Sequence, residues 1–109
     1  MDTTLSLNDS TIVIGPVRPF VIIGERINPT RRKKLADAMA AGDFSLIQDE
    51  ARVQAKAGAH VLDVNAGVPG CEEPALLRAA TLAVMDAVKL PLCLDSANPD
   101  ALAAALAVY

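Results

Sequence analysis

Three apolar runs in this chain end alike. Val21-Ile22-Ile23-Gly24 gives way to Glu25, Arg26 and then Asn28. Val61-Leu62 leads into Asp63 and Asn65. Leu92-Cys93-Leu94 ends in Asp95, with Ser96 beside it and Asn98 beyond. Carboxylates and amides accept hydrogen bonds from ligand N–H groups, and a carboxylate can also hold or release a proton. Such groups at the end of a buried run cost free energy unless they are paired or put to use. Asp63 and Asn65 are two apart, the period of a strand, so both point to the same side. Glu25 and Arg26 point to opposite faces if their strand continues, and so do not pair directly.

Each of these residues also has a plain structural reading. Asp95 could cap the following helix, but Asn98 with Pro99 already supplies a good cap, which favours a ligand role for Asp95. Asp63 fits equally a turn acid satisfied by backbone N–H groups. Arg26 reads first as a structural plug, whereas Glu25 and Asn28 read first as neighbours of a site. The run Arg31-Arg32-Lys33-Lys34 opens a helix, where positive charge opposes the helix dipole by about 0.3 kcal/mol or more per residue. Together with the helix N-terminus, Arg31 and Arg32 offer a place for an anion. A solvated basic face is the simpler reading of the same run. His60 has no partner at ligand spacing and reads as an end-of-strand residue. The two cysteines, Cys71 and Cys93, sit in no metal or redox spacing and next to no base. No metal site is expected.

The elements that position these residues alternate. The segment Phe20 to Gly24 reads as a strand buried on both faces. A helix follows from an N-cap at Thr30 to a stop at Gly42, with Leu35 and Met39 on one face. A second starts at Asp43 and ends at Gly58. Its apolar residues form two stripes, Phe44, Ile47, Ala51 and Ala55 against Leu46, Val53 and Ala57, which predicts cover on two sides. A strand precedes Asp63. A third helix opens at Glu73 and Pro74, with Leu77, Ala80, Val84 and Val88 inward. A strand precedes Asp95, and a last helix starts at Asn98 and Pro99 with Leu102, Leu106 and Tyr109 on one face. Upstream, residues 1 to 10 read as polar and loose, and Thr11 to Ile14 as a flap or hairpin arm. Strand–helix alternation implies parallel strands, whose C-terminal edge is where ligands bind. Both a doubly wound sheet and a (β/α)8 barrel fit. The dinucleotide glycine fingerprint and the phosphate-cradling loop are absent, which counts against a nucleotide-binding sheet.

The chain has 109 residues, a net charge of -3 and 52% hydrophobic residues, of which few are aromatic. That length supports one compact domain, and the composition is too apolar for disorder. The mild acidity gives no general attraction to nucleic acid or to a membrane surface. The start lacks the pattern of a signal peptide and no apolar run is long enough to span a bilayer, so a cytoplasmic setting with reduced thiols is expected.

FVIIGERINPT, VLDVNAG and LCLDS, in this order and spacing, resemble the pterin-binding methyltransferases. These include enzymes that move a methyl group from methyltetrahydrofolate to a corrinoid, and the folate domain of cobalamin-dependent methionine synthase. Dihydropteroate synthase is a more distant relative with the same barrel. The resemblance covers roughly residues 19–109. It implies an α/β fold of the dihydropteroate synthase-like (β/α)8 TIM barrel type. Such barrels take about 250 residues. The chain is therefore expected to supply about three βα units, an N-terminal portion, with residues 1–18 as an extension or flap and residues 19–109 as a partial barrel.

The resemblance also implies roles. Asp95 would hold the pterin, with Ser96, Glu25 and Asn28 nearby, and Asp63 and Asn65 would take part in catalysis around N5. Arg31 and Arg32 would meet the folate tail or an acidic corrinoid partner. The full-length reaction would be attack by Co(I) on the N5-methyl group of methyltetrahydrofolate, with the corrinoid (cobalamin) carried by a partner protein or domain. By itself the chain is expected to be inactive and to associate, either as a homo-oligomer or with a complementing C-terminal barrel chain. Two alternatives stand beside this. One is a dihydropteroate synthase-like enzyme, against which GERINPT weighs because that enzyme usually carries a motif ending in Pro-Asp-Ser-Phe. The other is a non-enzymatic piece.

Overall fold

The computed structural model describes residues 1–109. Its element order is β1 (Thr3–Leu7), β2 (Ser10–Ile14), β3 (Ile23–Ile27), α1 (Lys33–Ala40), α2 (Ser45–Lys56), β4 (Val61–Val64), α3 (Glu73–Ala87), β5 (Leu92–Leu94) and α4 (Pro99–Leu106). It is a mixed α/β structure with two sheets, an antiparallel pair β1–β2 and a parallel sheet in the order β3–β4–β5.

The first ten residues are not loose. Alternating polar and apolar residues in Thr3–Leu7 pair with Ser10–Ile14 in a hairpin. Its turn uses Asn8 at φ 54°, a conformation that Asn tolerates better than most residues. Arg18 ties the base of the hairpin to Asp2, with Nε 3.0 Å from Oδ2.

β3 departs from the sequence reading. The apolar run Phe20 to Gly24 is not itself the strand, which begins at Ile23 and carries Glu25 and Arg26 inside it. Nor is it buried on both faces: Phe20 is 86% and Ile23 43% exposed. Its register against β4 matches Gly24 to Leu62 and Ile27 to Val64, so β3 holds one residue more than its partner over that stretch. This is a bulge, and it leaves a backbone N–H without a ladder partner. Gln54 of α2 takes it: its Oε1 accepts from Arg26 N at 3.1 Å while its Nε2 donates to Glu50 O at 3.1 Å. The amide fits there because residue 24 has no side chain; a Cβ on Gly24 would lie 2.3 Å from Gln54 Oε1.

The core lies between one sheet face and the helices. Leu62 and Val64 of β4 meet Ile47 and Ala51 of α2, Leu77, Ala80 and Val84 of α3, and Ala101 and Ala105 of α4. α3 packs against both α2 and α4. The inward stripe of α2 is buried at Ile47 and Ala51, but the second is covered only in part: Leu46 packs against the core, whereas Val53 is 65% exposed. α4 likewise buries Ala101 and Ala105 and leaves Leu106 outside. The helix after β3 starts at Lys33 rather than Thr30, so only the last two residues of the basic run lie in its first turn. Gly42 and Gly58 follow α1 and α2 with positive φ, the left-handed stop that the sequence predicts.

Candidate functional site

The face of the parallel sheet turned away from the helices is polar toward the C-terminal ends of its strands. Asp63 is matched in register with Cys93 across β4 and β5. Side-by-side residues in a sheet point the same way, and Leu62 and Val64 point into the core, so Asp63 and Cys93 share the opposite face. Two residues on, Asn65 stands beside Asp95, and its Nδ2 donates to Asp95 Oδ2 at 3.2 Å. The amide is held in that sense by its other end, where Asn65 Oδ1 accepts from Gly67 N at 2.9 Å. Asp95 is exposed and its second oxygen makes no hydrogen bond within the chain.

Glu25 is exposed on β3 and near enough for its charge to act on Asp63. Arg26 turns the other way, with Nε 3.6 Å from Glu50 Oε2. The structure thus brings Glu25, Asp63, Asn65 and Asp95 to one face. Partial burial, then the charge of Asp95 and of Glu25, push the Asp63 carboxyl above the usual carboxylate range; the neighbouring Cys93 thiol pulls it the other way. Desolvation of its protein-facing side and then Asp63 push the Cys93 thiol up, although the residue as a whole is exposed. That thiol stays protonated and is no ready nucleophile.

The other expected residues are placed differently. Asn28 Oδ1 accepts from Thr30 N at 2.9 Å, which folds the first loop into an Asx turn. Arg31 is exposed in the left-handed region at φ 57°. Arg32 points to the helix layer, where Nη2 lies 2.7 Å from Glu50 Oε1 and Nη1 donates to Arg26 O. Glu50 thus gathers both guanidiniums. The hydroxyl of Ser96 donates to Glu73 Oε2 and accepts from Asn98 N at 3.0 Å. His60 accepts from Ile22 N through Nδ1 at 2.9 Å and so joins β3 to β4 from below.

Two residues belong to this face or its rim that the sequence reading does not single out for it. Cys93 is two residues from Asp95, and the strand period alone would place it. Glu73 reads from sequence as a helix cap. Here Glu72 takes the N-cap position, and the Glu73 carboxylate crosses to Ser96. No sequence spacing signals that contact. Chemically, the face offers carboxylate acceptors for adjacent ligand N–H donors, an oriented amide, and one carboxyl disposed to hold a proton.

No family model matches the chain. Over 88 residues it is 38% identical to the methylcorrinoid:tetrahydrofolate methyltransferase of Eubacterium limosum, an overlap of 78% of this chain and 31% of that protein. It is 34% identical over 86 residues to the methionine synthase of Mycobacterium tuberculosis, covering 79% of this chain and 7% of the synthase. The methionine synthase of Mycobacterium leprae is 34% identical over 90 residues, 82% of this chain and 8% of that protein. The chain spans about a third or less of the length of these curated relatives. The resemblance carried by GERINPT, VLDVNAG and LCLDS therefore extends along most of the chain, which is similar in sequence to one segment of a methylcorrinoid:tetrahydrofolate methyltransferase and of methionine synthases.

Proposed function

We propose that the polar sheet face is the first part of a pterin site in a (β/α)8 barrel, and that the complete barrel moves a methyl group between tetrahydrofolate N5 and a corrinoid. The observation that supports this best is the juxtaposition of Asp95, fixed by Asn65, with Asp63 on one exposed face at the C-terminal ends of parallel strands. A pterin ring carries adjacent N–H and amino donors, and the open Asp95 carboxylate is an acceptor of the matching kind. Glu25 and Asn28 line the first loop. Ser96 holds Glu73 and the Asn98 turn beside the ring, and Arg31, the exposed cation of the pair, is the one free to meet a folate tail carboxylate.

The corrinoid, on a partner protein or domain, supplies the cobalt that exchanges the methyl group. The chain's own residues manage the proton. When N5 loses its methyl group, the bonding electron pair stays on nitrogen, and a proton at N5 turns a poor leaving group into a neutral amine. Asp63, disposed to hold a proton, supports that step through water, and Asn65 keeps its place in catalysis by fixing the neighbouring Asp95. In the opposite direction, which the name of the Eubacterium limosum relative describes, the same carboxylate takes the proton as N5 accepts the methyl group. That name favours the second direction as an equal reading. The free thiols of Cys71 and Cys93 agree with a cytoplasmic setting. No helix is long and apolar enough to cross a membrane.

The test is a chimera in which residues 19–109 replace the matching segment of the Eubacterium limosum protein. It should bind tetrahydrofolate and exchange methyl groups with a free corrinoid. Asp95→Asn should weaken folate binding by about tenfold, the cost of one charge-assisted hydrogen bond. Asp63→Asn should slow exchange with little change in binding. A folded chimera that does not bind tetrahydrofolate would refute the reading. The 109-residue chain alone should show no measurable exchange.

A further inference from the structure

The chain leaves the parallel sheet at Asp95, whose N–H donates to Val64 O at 3.0 Å. Ser96 and Ala97 donate no backbone hydrogen bond. The next bound main-chain donor is Asn98, whose N–H reaches the Ser96 hydroxyl at 3.0 Å. The direction of the Asp95 carboxylate therefore depends on two anchors. Asn65 holds it from β4, and the Ser96 hydroxyl holds the turn that follows it.

That hydroxyl has a single hydrogen, and it goes to Glu73 Oε2. Glu73 is half-buried in the first turn of α3, and its carboxylate does not cap its own helix. Its other oxygen lies over Gly67. A Cβ placed on Gly67 would be 3.7 Å from Glu73 Oε1 and 3.3 Å from Asn65 Oδ1. Gly67 N is also the donor that orients the Asn65 amide. One carboxylate thus lies against both loops that hold the Asn65–Asp95 pair, the loop after β4 and the loop after β5.

We propose that Glu73 is a positioning residue for Asp95. A relay runs from the Asn98 N–H through the Ser96 hydroxyl to the Glu73 carboxylate, and the charge at its end strengthens it. It fixes the turn after Asp95 before any ligand arrives. A turn left free would have to be ordered on binding, which costs affinity. The effect on a pterin rests on the pterin reading of this face; the effect on Asp95 does not. A carboxylate in a first helical turn also favours the helix dipole. That role alone would make Glu73→Gln and Glu73→Ala alike, whereas the relay needs only an acceptor for Ser96.

Two measurements test this. In the 109-residue chain, the side-chain amide resonances of Asn65 report its bond to Asp95. Glu73→Ala should move them toward their positions in Asp95→Ala, and should speed hydrogen exchange of the Asn98 backbone amide about tenfold. Glu73→Gln, which keeps an acceptor, should reverse most of both changes. In the chimera, Glu73→Ala should weaken tetrahydrofolate binding about fivefold. Added to Asp95→Asn, it should weaken binding by less than about twofold further, because both changes then act on one contact. Unmoved Asn65 resonances overturn the proposal, as does a fivefold loss that persists in the Asp95→Asn background. Glu73→Gln behaving like Glu73→Ala overturns it too, since charge at the helix start would then be the cause. A folded chimera that does not bind tetrahydrofolate refutes the pterin reading instead, and the Asn65 resonances still decide the role of Glu73.

Discussion

Asp63 shares its sheet face with Glu25 and Asp95, and partial burial together with those charges holds its carboxyl above the usual range. An acid raised in this way binds its proton more readily in the folded chain than in the unfolded one. Stability therefore falls as pH rises from the ordinary value of 3.8 through the raised one, and the full penalty is present above it. Asp63→Asn removes the charge at nearly constant volume. The variant should be more stable than the parent at neutral pH and lose that advantage in acid, as read by urea unfolding across the pH range. Identical stability at neutral pH would mean that the neighbouring carboxylates do not disfavour its charge. Much of this face was legible in the sequence, because period two places Asp63 with Asn65, and alternation of strand and helix places Asp95 near both. Glu73 was not legible, since a carboxylate in a first helical turn reads as a cap until tertiary structure brings Ser96 to it. Arg32 was misleading for a related reason: the basic run says nothing about Glu50, which claims that guanidinium from another helix.

The elements follow sequence periodicity except where an edge or a bulge intervenes. The helices α1 and α2 end at the glycines that mark them, α3 begins at Glu73 and Pro74, and α4 begins at Asn98 and Pro99. The Asn98 side chain accepts from Asp100 N at 2.9 Å and Ala101 N at 3.3 Å. Asn98→Ala should cost about 1 kcal/mol of stability, measured by denaturant unfolding, and an unchanged midpoint would mean that α4 frays without effect on the rest. The strand β3 was misplaced because apolar runs predict burial, whereas bulge geometry and a partner helix decide where pairing starts. Gln54 is the device that makes the bulge tolerable. Gln54→Leu removes the acceptor of the part-buried Arg26 N–H and should cost about 1 kcal/mol. Gly24→Ala should act on the same contact, since the new Cβ would lie 2.3 Å from Gln54 Oε1. Its cost should therefore shrink in a Gln54→Ala background, a non-additivity that a double-mutant cycle detects. Additive costs would place the strain of Gly24→Ala elsewhere.

For the whole molecule, 19 of 109 residues are buried, and the main core cluster contains 14 of them. A chain of this size that covers one face of a three-stranded sheet gains little margin over its conformational entropy. Meanwhile Phe20, Ile22, Ile23, Val53 and Leu106 all remain more than 40% exposed. These residues lie mostly along the two open sides of the sheet, so whatever covers those sides also stabilises the fold. Linkage sets the scale: a partner that binds the folded chain alone adds about 2.7 kcal/mol when present at a hundred times its dissociation constant. Covering those sides with the rest of the barrel, as in the chimera, should raise the midpoint of thermal unfolding by several degrees, on the order of 5–10 °C. Asn98→Ala should lower the midpoint of the chimera and of the chain alone by a similar amount. Equal midpoints for the chimera and the chain alone would mean that the exposed apolar residues are tolerated in water, and that the fold draws its stability from the helix-covered face alone.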